Sequence, residues 1–477
     1  MALQVKRTVQ VKRMMQVNAL KLAIPTRSRA RATSRRWLLA SVLAAGCAFG
    51  LPTTVQAAEV TDVLDAFDED FNNMYDLSLR VRFTQDSRSA AIGREVRCIA
   101  GDQVGSELCP GQSRTVLARE LLYDSSRQTM HIDARIGVYK DVEFMASFPI
   151  VMGYAWSHKF APGVSRSNST LLPPTDRDAV VASPYESTDR AGFGDMSVGL
   201  SWSPYNYFRD PSKPTWTWAL TWTLPTGTPM AADNSGVGLG LHQLEVKTTI
   251  SRRALQMLEP FVGLHFNAFI ESEDSLFAKT RQPATQKYVT PGPIFGAFFG
   301  AEVIPWEDRK NDARVELEAG FAMDYHFRGR GYAELWEALA SPDNPCAKSD
   351  SCANVSHSKS DPDPATGRAA MTNGITDMEQ YGRFTGWAAL HYQPVRHFQI
   401  SARYSYAVET PHFITFGDYG VDLDKKPGLG IQQANTETPP KNEFSPVYLP
   451  ALDTPGGRIR VMDVAASAFM LSISGKL

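Results

Sequence analysis

From about residue 76 to residue 475 the chain is built of short runs in which apolar and polar side chains take turns. Leu77, Leu79, Val81 and Phe83 interleave with Ser78, Arg80 and Arg82, and Ile132, Ala134, Ile136 and Val138 with His131, Asp133 and Arg135. Trp216, Trp218, Leu220, Trp222 and Leu224 interleave mostly with threonines, Val315 to Tyr325 with Arg314, Glu316, Glu318 and Asp324, and Phe398 to Tyr406 with Gln399, Ser401, Arg403 and Ser405. A period of two puts successive side chains on opposite faces of a strand. It predicts about twelve strands, near 76–86, 129–139, 142–156, 191–203, 214–225, 239–251, 257–271, 291–304, 313–327, 379–393, 397–408 and 458–475.

One apolar and one polar face also suit a soluble sandwich with a wet side. The connections argue against that. Long ones (87–128, 157–190, 226–238, 272–290, 328–378, 409–457) alternate with short ones centred on Lys140-Asp141, Pro204 to Lys213, Arg252 to Met257, Pro305 to Asp312 and Pro394 to Arg396. Short turns on one side, long loops on the other and an even strand count are the pattern of a transmembrane antiparallel β-barrel, with periplasmic turns and extracellular loops. The predicted fold class is therefore all-β, a barrel over 76–477 in the outer membrane of a Gram-negative cell. Tyr154, Trp156, Trp202, Tyr205, Tyr207, Trp306, Tyr392 and Tyr419 fall near strand ends, as interfacial girdles require. The last strand, Phe469 to Leu477, alternates like a barrel-assembly signal, although it ends in leucine and not in the commoner aromatic. The partners this implies are outer-membrane lipid and lipopolysaccharide, the barrel assembly machinery, and a small-molecule cargo.

The first 57 residues change the picture. Arg27, Arg29, Arg31, Arg35 and Arg36 lead into the apolar run Trp37–Leu51, and Val55-Gln56-Ala57 supplies a small-x-small cleavage site. This reads as a signal peptide over 1–57, with Met14 or Met15 as alternative starts. Ser34-Arg35-Arg36-Trp37-Leu38-Leu39 also has the look of a twin-arginine signal, and Ala45-Gly46-Cys47 that of a lipoprotein box, with Ala44 where a larger aliphatic residue is usual. The segment 58–75 is acidic, with Val60, Val63, Leu64, Phe67 and Phe71 at helical spacing; it is either a short amphipathic helix at the barrel mouth or a solvated leader. Four cysteines remain beyond the leader, Cys98 with Cys109 and Cys346 with Cys352. Close, even pairs in an exported protein suggest disulfides, here staples in outside loops; neither pair has the CxxC spacing of a metal site.

Composition adds exclusions. The 49 Lys and Arg balance 51 Asp and Glu, which points away from nucleic acid.

Several motifs in the first half carry a resemblance. Arg135-Ile136-Gly137-Val138-Tyr139-Lys140-Asp141-Val142-Glu143 forms a strand–turn–strand unit running on to Phe148-Pro149. Gly192-Phe193-Gly194-Asp195 then opens a strand continuing Val198-Gly199-Leu200, and Leu224-Pro225-Thr226-Gly227 closes another. In order and spacing this set, covering roughly 130–270, resembles the outer-membrane transporter family of the MetA pathway of phenol degradation. The resemblance implies a channel for passive uptake of small, hydrophobic or aromatic compounds. The long, cysteine-bearing outer loops depart from it.

The polar phase of the strands supplies candidate lumen residues: Arg80, Arg82, His131, Asp133, Arg135, Glu245, Lys247, Glu316, Glu318, Asp324, His326, Arg383, His391 and Arg403. Such charges either pair into a structural network or form a constriction that selects what passes. Trp216, Trp218, Trp222, Phe295, Phe298 and Phe299 either offer a hydrophobic entry route or face lipid. No catalytic signature emerges. Outer-membrane phospholipases use a His-x-Ser pair, and the nearest spacing here, His265-Phe266-Asn267, places asparagine where a nucleophile is needed. Gly-x-Ser-x-Gly, His-Glu-x-x-His and phosphate loops are missing from the sequence, and no cofactor is implied. The alternative to a channel is a non-transporting surface protein whose stapled loops bind a partner, with the barrel as anchor.

Overall fold

The computed structural model describes residues 60–64, 76–98, 114–171, 185–187, 189–207, 209–231, 234–255, 257–271, 289–308, 310–340, 374–432 and 450–476, with the isolated positions 438, 443, 445 and 448. By its contacts the chain divides into Met1–Thr53 and Thr54–Leu477. The first unit, the whole signal region to Ala57, and Cys109, Cys346 and Cys352 lie outside the described residues.

Twelve strands form the wall: β1 Leu77–Cys98, β2 Arg114–Tyr139, β3 Val142–Phe160, β4 Ser197–Tyr205, β5 Thr215–Thr223, β6 Leu241–Ser251, β7 Leu258–Glu271, β8 Ile294–Asp308, β9 Ala313–His326, β10 Tyr381–Val395, β11 Phe398–Glu409 and β12 Ile459–Lys476. Each pairs antiparallel with the next, and β1 pairs with β12 from Ser78↔Lys476 to Arg94↔Ile459, so the sheet closes on itself. Closure leaves no edge, the condition for a sheet to sit in hydrocarbon. Among the described residues no helix is long and apolar enough to cross a membrane.

The alternation seen in the sequence becomes an outside and an inside. Leu79, Val81, Ile132, Leu200, Trp218, Leu220, Trp222, Leu264, Phe299, Leu317, Leu390, Tyr404 and Ile473 are exposed on the outer face. The residues between them point into the barrel. Both ends of the chain's barrel portion, Leu77 and Lys476, lie at the end that carries the short turns. In the tightest of these Asp141 adopts a left-handed conformation (φ 51°). Its carboxylate accepts a 2.7 Å hydrogen bond from Asn206 and pairs with Arg209 at 2.9 Å, joining two neighbouring turns.

Two expectations need correction. β1 and β2 run about a dozen residues further than the sequence pattern indicates, so much of 87–128 is wall and not loop. There the inner face turns apolar (Ala90, Ile92, Leu121, Tyr123), because it packs against protein and no longer faces an open lumen; the apolar–polar contrast fades with it. The strand expected at 191–203 is split into Arg190–Phe193 and β4, separated by Gly194 to Met196.

Leu264 is 45 % exposed midway along β7. Replacing it with arginine should destabilise the barrel by about 2–4 kcal/mol in a urea titration in phospholipid vesicles, whereas Leu255→Arg, in the turn before β7, should cost at most about 1 kcal/mol. Equal costs would mean that the apolar face does not meet lipid.

Candidate functional site

The candidate site is the lumen, and its chemistry changes along the axis. At the short-turn end the segment 60–64 lies across the mouth, with a turn at 60–61 and no regular structure at 62–64. Thr61 is hydrogen-bonded to Ser251 of β6 at 2.7 Å, and Ser251 donates in turn to Glu259. Arg135 of β2 donates to the Asp62 carbonyl (2.5 Å) and to Glu143 (2.8 Å). Lys476 of β12 donates to the Asp62 carboxylate at 3.2 Å, and the Leu64 amide donates to Glu143 at 2.9 Å. These five residues thus touch β2, β3, β6 and β12. The remainder of the acidic segment, 65–75, is outside the described residues.

In the middle of the barrel the inner wall is polar, partly exposed at Arg82, Asp133, His265 and Asp324 and buried at Glu318, His391 and Ser401. Arg82 pairs with Asp133 at 3.4 Å, and Ser147 donates to the same carboxylate at 2.6 Å. His265 faces Asp324 at 3.3 Å. Glu318 accepts from His391 (3.2 Å) and from the Trp387 indole, while the other His391 nitrogen meets Ser401 at 2.9 Å. Nearer the short turns, at the start of β9, the buried Arg314 pairs with Glu316 at 3.2 Å. Three aromatic rings join this polar wall: Phe261 lies 6.4 Å from both Phe298 and Trp387. The Lys247 ammonium sits 4.9 Å above Phe298, and the Arg403 guanidinium 4.6 Å above Trp387.

Towards the long-loop end the lumen is filled. After β9 the chain turns inward as Gly329–Gly331, paired with Thr376–Met378, and then forms the helix α1, Trp336–Ala340, buried throughout. Leu335, Trp336 and Leu339 pack with Ile92, Leu121, Trp156, Leu171, Ile414, Leu452 and Ile459 in an apolar core inside the mouth. Arg190, fully buried, holds this plug: it pairs with Glu337 at 3.0 Å, donates to the carbonyls of Ala231 and Gly236, and lies over the rings of Trp156 and Trp336. Below the plug, Arg88 donates to Glu334 and Glu409 at 2.5 Å each, Arg383 approaches Glu409 at 3.5 Å, and the rings of His326, Tyr381 and His412 stack at 4.4 and 3.9 Å. Burial alone would raise the Glu334 carboxyl, but Arg88 and His412 outweigh it and hold it below the ordinary range.

The fourteen sequence-chosen residues all occupy the inner phase of their strands. The structure brings Arg82 to Asp133, Glu318 to His391, and Lys247 and Arg403 to one aromatic surface. It leaves Arg135 apart from these, at the short-turn mouth, and Arg383 and His326 apart under the plug. Missed were Arg88, Arg190, Glu334, Glu337 and Glu409, which fall in segments read as loop or at their edges. For Arg88 a signal existed, since it continues the Arg80–Arg82 phase. Of the aromatic patch, Trp218, Trp222, Phe295 and Phe299 face outward and Phe298 inward. Tyr154 and Trp156, expected in a girdle, instead face the plug; Trp202, Tyr205, Trp306, Tyr392 and Tyr419 are exposed as expected.

The motifs behind the family resemblance also meet in space. Asp195 accepts from the amides of Gly227 (3.0 Å) and Leu239 (2.7 Å), Thr226 accepts from Met196 (2.8 Å), and Gly194 donates to the Pro149 carbonyl (2.9 Å). These bonds seal the wall where the fourth strand is split.

A closed barrel, apolar outside and charged within, suits lipid on its outer face and water on its inner one. The protein is an outer-membrane β-barrel of a Gram-negative cell. No protein-family model matches the chain, and no curated protein does. Among solved structures it is similar to the COG4313 outer membrane channel from Pseudomonas putida F1 (8 % identity, 84 % of this chain and 95 % of that one, TM-score 0.39). It is also similar to a Pseudomonas aeruginosa FadL homologue (10 %, 84 % and 90 %, TM-score 0.29) and to a deletion mutant of the TodX monoaromatic hydrocarbon channel (8 %, 83 % and 90 %, TM-score 0.30). These identities are far below the level at which function transfers.

A carboxyl held low when docked stabilises docking above its free value, about 4.3, and that contribution is lost as pH falls through the lower docked value. Acidification well below that free value should therefore weaken the docking of the plug, read as faster hydrogen exchange at Trp336–Ala340. Glu334→Gln should remove that pH step; its persistence would mean that another group sets it.

Proposed function

We propose that this barrel is an outer-membrane channel for the passive uptake of small, hydrophobic or aromatic compounds. One observation carries the reading: a charged mid-lumen, partly exposed at Arg82, Asp133, His265 and Asp324, lies between two closures, the plug at 329–340 and the strap at 60–64. The strap is held by bonds that involve side chains, and the plug also by backbone pairing of Gly329–Gly331 with Thr376–Met378 and of Arg330 with Thr290; none of these bonds joins two of the twelve wall strands. The family resemblance of the motifs around Asp195 supplies the substrate class, and the rings of Phe261, Phe298 and Trp387 are compatible with it.

The fourteen lumen residues are, in this reading, the constriction that a solute meets. The reading also includes cleavage after Ala57, assembly by the barrel machinery, and a surrounding belt of lipid and lipopolysaccharide. Staples Cys98–Cys109 and Cys346–Cys352 belong to it as well; Cys98 being disulfide-bonded supports the first. The surface-anchor alternative is favoured by no described residue, since the described part of the largest loop folds inward.

The decisive comparison is uptake by a deletion strain and its complemented parent of a labelled aromatic acid, a neutral aromatic and a small sugar. Loss of one or both aromatics with the sugar unchanged is expected; no difference in any of the three would sink the channel reading. In planar bilayers Asp62→Ala, which frees Arg135 and Lys476 from the strap, should raise single-channel open probability. Unchanged gating would mean that the strap is not a closure.

A further inference from the structure

The aromatic surface in the mid-lumen is built in an unusual way. Each of its rings lies against the glycine paired with it on the neighbouring strand: Phe298 on Gly263, Phe261 on Gly300, Trp387 on Gly320. A Cβ at any of these glycines would come within 2.2 to 2.5 Å of an atom of the ring beside it. The result is an aromatic belt along the inner wall from β7 to β10, in which Phe261 is tilted by 51° to Phe298 and stacks on Trp387 at 22°, with Lys247 of β6 over one end and Arg403 of β11 over the other. Ring-on-glycine packing accounts for the rings, which repair a weak stretch of sheet. It does not account for the two cations.

Several other lumen cations close onto a carboxylate, as Arg82 does on Asp133, Arg88 on Glu334 and Arg135 on Glu143, although Arg127 lies over the Tyr154 ring. Lys247 and Arg403 close onto ring faces, and within the described residues neither donates a hydrogen bond to a carboxylate. They lie near enough to feel each other's charge. Two carboxylates are close by, Glu245 on β6 and Glu318 on β9. Glu318 is already engaged by His391 and the Trp387 indole. A cation over a ring keeps its outward N–H groups for another acceptor, and a solute carboxylate would receive them as charge-assisted bonds. Trp387, half-exposed, offers a surface beside that position on which a planar ring can rest.

We propose that Lys247, Arg403 and Trp387 form a binding site for aromatic carboxylates: the carboxylate lies between the two cations and the ring against Trp387. The proposal rests on the channel reading above and narrows its substrate class from aromatic compounds to aromatic acids.

The test uses the full-length barrel in detergent and isothermal titration with benzoate, with benzyl alcohol as the neutral ring and cyclohexanecarboxylate as the non-planar acid. Benzoate should bind more tightly than either. Lys247→Gln and Arg403→Gln should each weaken it about 10- to 100-fold, the loss expected for one charge-assisted hydrogen bond. Lys247→Arg and Arg403→Lys should restore most of that loss, which a folding defect would not allow. No benzoate binding, or binding indifferent to both glutamine variants, or equal binding of benzyl alcohol, overturns the proposal. Vesicle flux separates it from the parent reading. Flux of benzyl alcohol with benzoate indifferent to both variants leaves a channel without this site. Benzoate binding that needs both cations, in a barrel that passes no aromatic compound, leaves the site without a channel.

Discussion

Everything in this structure follows from the seam between β1 and β12. In hydrocarbon a backbone amide without a partner costs several kcal/mol, and lipid offers it none. Sixteen paired positions between Ser78 and Arg94 on one strand and Ile459 and Lys476 on the other remove the last open edge. Once the sheet is closed, side chains have only two places to go. Those that tolerate lipid face out, and most charges that the strands carry are sent inward, where other charges are near; Arg119 and Asp463 form an exposed pair.

That confinement explains why the interior is a network. A guanidinium beside low-dielectric walls is stable only if something compensates its lost hydration, and the lumen meets the requirement in three ways. Arg82, Arg88 and Arg135 use carboxylates. Lys247 and Arg403 use ring faces. Arg190, the most enclosed, uses Glu337, two backbone carbonyls and two indoles together. The long-loop end is different in kind, because an apolar core around Trp336 and Leu339 replaces water there altogether.

The parts of this architecture that were legible in the sequence are those where inside and outside differ in polarity. Strands such as Val315 to Tyr325 separate two solvents and alternate cleanly, so strand number, the alternation of short and long connections and the inward set from Arg80 to Arg403 could be read directly. Where the inner face meets the plug, as at Ala90, Ile92 and Leu121, both solvents are replaced by protein on one side and the period of two dissolves; those residues passed for loop. Trp156 was misplaced for the same reason: an aromatic near a strand end signals an interface, and here the interface is with α1 and not with lipid headgroups. Phe298 was ambiguous because its neighbours Phe295 and Phe299 face outward; only the glycines across from it, Gly263 above all, mark the ring as an inner one. Ion pairs such as Arg88 with Glu334 join positions hundreds of residues apart and have no local signature at all.

The strap at 60–64 has a consequence for the order of events in biogenesis. Its anchors come from nearly the whole length of the chain: Arg135 early, Ser251 in the middle, Lys476 one residue from the end. The full set of contacts therefore exists only after the last strand has been made and has met the first. A chain whose final strand is missing or out of register leaves Asp62 without its lysine, so the earliest described residues of the protein are tied to the success of its latest step.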